Sequence, residues 1–183
     1  MKLVFLGPPG AGKGTQAQLL AESMGIPHIS TGEIFRYNLE NKTEMGRAAA
    51  EYMDNGFLVP DNVTNGMVID RLRKPDCKNG YILDGYPRTI NQAEFLDSIN
   101  GIDNVIYFSL KDEIAIERLL NRAKESSRSD DTEEVIKKRI LVYKDQTQPL
   151  LNYYKHKGNL LEIDASSGIK MINRDVKRVL NLS

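Results

Sequence analysis

Apolar residues fall along the chain in two rhythms. Five short, nearly unbroken apolar runs, at residues 3–6, 27–29, 81–83, 105–108 and 160–163, are rich in strand formers and bounded by turn residues. They lack the alternation of half-exposed strands and most are too short for amphipathic helices, which predicts strands of a parallel sheet buried on both faces. Between them the apolar residues recur at helical spacing. Ala17, Leu20, Ala21 and Met24 share one face of a helix predicted over 15–24 and stopped by Gly25. Further helices are predicted over 114–121 behind Asp112 as N-cap, over 133–154 with a kink or split at Pro149, and over 171–180. Strands alternating with helices predict right-handed βαβ crossovers and a three-layer α/β domain with a five-stranded parallel sheet.

Two stretches break this rhythm. Residues 31–60 are mostly helical in pattern and too long for one crossover, which predicts a small helical insert at about 30–59. Residues 123–131 are short, polar and rich in serine and charge, which predicts a mobile flap. No repeat, low-complexity tract or linker divides the chain, so residues 1–183 read as a single domain.

Composition narrows the functions open to such a domain. The 25 basic residues balance the 25 acidic ones, which argues against broad contact with nucleic acid or an anionic membrane. A small charged ligand needs only a local cluster of arginines. One cysteine, Cys77, excludes an internal disulfide and a four-cysteine zinc site; it is read in a polar loop without a partner. The apolar run 3–6 is far shorter than a signal-peptide core or a membrane span, so a cytoplasmic chain is expected. No heptad seam calls for a second copy, and a monomer is expected. His28 reads as structural, His156 as solvated surface, and Tyr153 and Tyr154 as packing or surface residues.

Chemistry enters at Gly7-Pro8-Pro9-Gly10-Ala11-Gly12-Lys13-Gly14-Thr15, which follows the first strand and opens the first helix. Strand, glycine-rich turn and helix are the context of a phosphate-binding P-loop. Its glycines bring successive N–H groups onto phosphate oxygens, the helix N-terminus adds partial positive charge, and Lys13 adds a full one. The residue after the lysine is Gly14 rather than Ser or Thr, so direct magnesium ligation by a hydroxyl there is doubtful and the metal is expected to rest on nucleotide phosphates and water. Asp84-Gly85-Tyr86-Pro87-Arg88 stands at the end of the third strand, at the sheet edge where ligands bind. Asp84 can orient magnesium-bound water, and Arg88 can clamp a phosphate bidentately.

With the P-loop, these segments resemble the adenylate kinase family over nearly the whole chain. The resemblance also runs through Ser30-Thr31-Gly32-Glu33 with Arg36, Phe57-Leu58-Val59-Pro60-Asp61, Thr89 and Gln92, Arg118 to Arg122, and Arg128-Ser129-Asp130-Asp131 to Arg139. It implies ATP:AMP phosphotransfer giving two ADP with Mg2+, an insert that binds the nucleoside monophosphate, and a short lid without structural zinc. It implies that Gly10, Ala11, Gly12, Lys13, Gly14 and Thr15 bind ATP phosphates, with Arg122. Arg118 would lie beside the ATP base, and the backbone near Ser167 would meet adenine. Thr31, Arg36, Phe57, Leu58, Val59, Gly85, Tyr86, Pro87, Arg88 and Gln92 would bind AMP. Arg128 and Arg139 would swing over the transferring group, making Lys13, Arg88, Arg122, Arg128 and Arg139 the catalytic set. Asp130 either caps the following helix or, like Asp131, pairs with lid arginines.

Phosphoryl transfer runs through a loose transition state, so positioning and charge do most of the work, and the absence of a catalytic histidine is expected. A UMP/CMP kinase shares this pattern, but Ser30-Thr31-Gly32, Tyr86 and Thr89 look more like the AMP form. A nucleotide-gated switch would explain the P-loop but not five arginines suited to two phosphate ligands.

Overall fold

Each of the five apolar runs forms a strand of one parallel sheet: β1 (Lys2–Leu6), β2 (His28–Ser30), β3 (Tyr81–Asp84), β4 (Asn104–Ser109) and β5 (Leu160–Asp164). The computed structural model describes residues 1–125 and 131–182. Strand order is β2-β3-β1-β4-β5. β1 lies between β3 and β4, with Phe5 level with Asp84 and Leu6 level with Tyr107. The chain therefore reverses its direction of winding beside β1, and the carboxyl ends of β1, β3 and β4 flank one crevice.

Successive side chains of each strand enter different cores. Val4, Leu6, Ile29, Leu83 and Val105 pack on one face with Leu96, Leu150 and Tyr154. Leu3, Phe5, Ile82, Ile106 and Phe108 pack on the other with Leu20, Ile172 and Val176. Both faces are covered, which is why the strands read as continuous apolar runs.

The helices that cover them are α1 (Lys13–Met24), α2 (Thr31–Glu40), α3 (Glu44–Asp54), α4 (Asp61–Leu72), α5 (Ile90–Ile99), α6 (Asp112–Glu125), α7 (Glu133–Val142), α8 (Leu150–Lys157) and α9 (Ile169–Val179). α2 and α3 make up the insert: Ser30 caps α2 by accepting from Glu33 N, and Thr43 caps α3 by accepting from Gly46 N. Among the described residues no helix is long and apolar enough to cross a membrane.

Several local expectations need correction. α4 and α5 were not legible as helices; Asn, Thr and Gly inside 61–72 blur its helical face. Asp112 is the first residue of α6 rather than its cap: Lys111 O accepts from Ala115 N, and the Asp112 carboxylate is left to pair with Lys144. The pattern 133–154 is three elements, since α7 loosens into a π-turn over Tyr143–Thr147 before Pro149 and α8. Thr132 caps α7 by accepting from Val135 N, and the capping reading of Asp130 lies outside the described residues. Cys77 is buried on the 3-10 turn Pro75–Cys77, with Arg71 Nη1 3.1 Å from its sulfur. Arg128, Ser127, Ser129 and Asp130 lie outside the described residues, so the expected flap is described only at its flanks.

Candidate active site

The loop after β1 folds back on itself before α1 begins. Gly10 and Gly12 have φ of +86° and +80°, values that strain any residue with a Cβ. A Cβ on Gly10 would also meet Ala115 O of α6 at 2.6 Å. Lys13 Nζ donates to Gly7 O at 2.8 Å and Pro8 O at 2.9 Å. The ammonium thus closes its own loop and stands at the head of the crevice. Burial pushes Lys13 down to about 8, against the opposing pull of Asp84, while Arg88, Arg139 and Arg122 push it the same way as burial.

Asp84 ends β3 beside this lysine. Burial would raise its pKa, but His28, Lys13 and Arg88 together outweigh that and hold the carboxyl below the usual carboxylate range. His28 Nε2 lies 3.6 Å from Asp84 Oδ2 and has no hydrogen-bond partner among the described residues. This contact supports the structural reading of His28. Gly14 has its own steric reason: a Cβ there would press on Asp84 Oδ2 at 3.3 Å.

The next turn carries Arg88 and is pinned on three sides. Arg88 N donates to Gln92 Oε1 at 2.7 Å and Nε donates to Gly85 O at 2.9 Å, while Arg88 O accepts from Thr147 Oγ1 at 2.9 Å. Gly85 has φ +81°, and a Cβ would meet Thr31 Oγ1 at 2.8 Å. Thr31 Oγ1 donates to Gly85 O at 2.9 Å, which ties the start of the insert to this turn.

On the far side, α6 and α7 deliver two arginines to one carboxylate. Arg122 reaches Asp131 through Nε (2.7 Å) and Nη2 (2.6 Å), and Arg139 Nη1 donates to it at 3.0 Å. The expected pairing of Asp131 with arginines is realised. Arg118 instead turns toward β5, donating to Ala165 O at 2.9 Å and Ser166 O at 3.1 Å.

These groups surround two cavities. The larger, about 450 Å³, is lined by Gly10, Gly12, Lys13, Gly14 and Thr15 of the loop, by Asp84, Pro87 and Arg118, and by Arg122 of α6. The smaller, about 80 Å³, is lined by Thr31 and Phe35 of α2, by residues 56–59, and by Gln92. Arg36, Arg88 and Arg139 line both. Ala11 and Tyr86 are fully buried beneath the walls and line neither; the Tyr86 hydroxyl donates to Asn65 Oδ1. Ser167 also lines neither, although its neighbour Ser166 is gripped by Arg118. Two groups escaped the sequence reading. Thr147 had no signal beyond its nearness to Pro149, and Asp61 was seen only as the end of a motif.

A sheet-borne phosphate loop, an ionised carboxylate beside it, and arginines shared between adjoining cavities define a P-loop phosphotransferase with room for two phosphate-bearing ligands. The adenylate kinase family model matches residues 5–159. An adenylate kinase of Nocardia farcinica is 47% identical over 185 residues, covering 98% of this chain and 99% of the relative. One of Thermobifida fusca is 48% identical over 179 residues, covering 95% of each. One of Clostridium perfringens is 43% identical over 212 aligned positions, more than this chain has residues, and so carries an insertion relative to it. The chain belongs to the adenylate kinase family.

Proposed function

We propose that this chain transfers the terminal phosphoryl group of ATP reversibly to AMP, giving two ADP and serving adenine nucleotide balance, with the division of labour that follows. The chain is an ATP:AMP phosphotransferase of the nucleoside monophosphate kinase type. The observation that carries the division of labour is the shared wall. Arg36, Arg88 and Arg139 face both cavities, so a donor phosphate in one and an acceptor phosphate in the other meet at the same cations.

ATP occupies the larger cavity. Residues 10–15 cradle its phosphates, Lys13 moves from the Gly7 and Pro8 carbonyls onto phosphate oxygens, and Arg122 adds charge. Arg118 and the backbone from Ala165 to Ser167 form the base end. AMP occupies the smaller cavity, its phosphate on Arg36 and Arg88 and its base against Thr31, Gln92 and residues 57–59. Arg139, with Arg128 from the lid, neutralises charge on the transferring group. The AMP phosphate already carries a nucleophilic oxygen, so no general base is needed, and exclusion of water by the insert and lid protects the transfer.

The residues suit a magnesium ion that arrives with ATP. Asp84 is a carboxylate held ionised at the cavity floor, and Thr15 is exposed beside it. Mg2+ keeps several waters and takes one or two carboxylates plus phosphates, so Asp84 would hold it through water. Bound there, magnesium neutralises developing phosphate charge. Among the described residues no three His, Cys, Asp or Glu cluster as a metal cage. A cytoplasmic monomer, free of nucleic acid and membrane, completes the proposal.

The test is ADP formation by the purified protein with Mg-ATP and, separately, AMP, UMP, CMP and GMP. Rapid turnover with AMP alone is expected. Equal turnover with UMP or CMP would overturn the choice of acceptor, and ATP binding without any turnover would bring forward a nucleotide-gated switch.

A further inference from the structure

We infer that Asp61 and the backbone N–H of Arg88 lock the Gln92 side-chain amide in one orientation, and that this lock makes the acceptor site distinguish a 6-amino purine from a 6-oxo purine. The inference rests on the smaller cavity being the acceptor nucleotide's site.

Gln92 lies in the first turn of α5 and is 2% exposed. Its Oε1 accepts from Arg88 N at 2.7 Å, and its Nε2 donates to Asp61 Oδ1 at 2.6 Å. A backbone N–H can only donate and a carboxylate can only accept, so the partners themselves fix which amide atom is oxygen and which is nitrogen. Asp61 is fixed in turn. Thr89 Oγ1 donates to Asp61 Oδ2 at 3.1 Å and accepts from Gln92 N at the same distance. Turning the amide over would set oxygen against carboxylate and N–H against N–H.

An amide has two N–H groups and two oxygen lone pairs. One of each is engaged as described, and the other of each has no partner among the described residues. The remaining polar side chains of the cavity cannot substitute. Its arginines only donate, and the Thr31 and Thr64 hydroxyls donate to carbonyls of the chain. Among the described residues Gln92 is therefore the one lining side chain there with both a donor and an acceptor to offer, and Phe35, Met53 and Val59 supply apolar wall.

A 6-amino purine presents an acceptor, N1, beside an amino donor. A 6-oxo purine presents an N1–H donor beside a carbonyl acceptor, the reverse order. An amide free to turn over would read both. A locked amide reads one, and a base whose phosphate is held on arginines cannot invert to compensate. The mismatched base leaves buried donors and acceptors unmade, which is where large discrimination arises.

The experiment measures kcat/KM for AMP and for inosine monophosphate, with Mg-ATP, in wild type, D61N, D61A and D61E. Asparagine presents either a donor or an acceptor, and alanine neither, so both release the lock, while glutamate keeps the carboxylate. The AMP preference is expected to fall about tenfold in D61N and D61A, through a higher KM for AMP and a lower one for the 6-oxo acceptor, and to survive better in D61E. A merely structural role would lower both acceptors alike. The ratio is independent of the fraction of protein folded, so a poorly folding variant still reports. A ratio within about twofold of wild type in D61N and D61A overturns the lock and leaves the AMP reading standing. A wild type that uses both acceptors equally overturns the lock and the AMP reading together.

Discussion

Lys13 and Arg139 bring positive charge to the same place and are held there in opposite ways. Lys13 sits at the start of α1, on the sheet, and is held by two neutral carbonyls of its own loop. Arg139 and Arg122 sit on helices flanking residues 126–130, and both are held by Asp131, whose side chain is fully buried. A phosphate that meets Lys13 displaces weak dipoles and finds an ammonium whose charge burial disfavours. A phosphate that meets the arginines finds charge already matched by a carboxylate. The sheet side is thus preorganised, while the helix side must share or rearrange its partner as ligands arrive.

Removing the preorganised charge should have the largest effect. Lys13→Met is expected to lower kcat/KM at least ~10³-fold, since even one lost electrostatic donor typically costs ~10²–10³. Its melting temperature should stay level or rise, because a buried lysine with a depressed pKa opposes folding. A large fall in melting temperature would mean that the lysine's hydrogen bonds hold the loop together.

Asp131→Asn tests the other side. It leaves two arginines without their shared carboxylate. Solvent reaches Arg122, so the loss should be nearer about 2 kcal/mol than the ~3–5 kcal/mol of a fully buried pair. Denaturant midpoints should show it, and kcat should fall about tenfold through misplaced guanidinium groups. Unchanged stability with a higher ATP affinity would mean that Asp131 merely competes with phosphate.

The two sides also differed in how far the sequence revealed them. The strands and the P-loop were legible because their signals are local: apolar runs, turn glycines and a lysine at fixed spacing. Asp131 was legible only as one of two adjacent acids that could meet lid arginines, and no spacing says which arginines it takes. The ties that aim the ligand groups were not legible. Thr147 reaches Arg88 across 59 residues and Gln92 reaches Asp61 across 31, and no pattern within one element encodes either contact. α4 and α5 were missed for a similar reason: buried polar residues such as Thr64 and Gln92 interrupt their apolar faces.

Thr147→Val removes one of those ties with little change in shape. The π-turn brings this hydroxyl to Arg88 O from just beyond α7, the helix that carries Arg139. A hydrogen bond of about 1 kcal/mol predicts a roughly fivefold loss. It should appear mainly as a raised KM for AMP and be restored by Thr147→Ser. A loss equal for both substrates would place the effect in α7 rather than in the Arg88 turn.

The smallest effect is a proton. Lys13 titrates at about 8 in the nucleotide-free protein, and phosphates favour its charged form, so binding must raise that value. Below about pH 8 the lysine is already charged and nucleotide binding moves few protons. Above it, binding takes up a proton and affinity falls as pH rises. Calorimetry in two buffers of different ionisation enthalpy at pH 8.5 should show uptake of a fraction of a proton, absent in Lys13→Met. The same shift acts on folding with the opposite trend. Between the depressed native value and the ordinary lysine value of 10.5 the unfolded chain binds more protons, so this group's contribution to stability rises with pH across that window. Binding weakens with pH where folding gains from it, and a single buried lysine accounts for both slopes only if Lys13→Met flattens both.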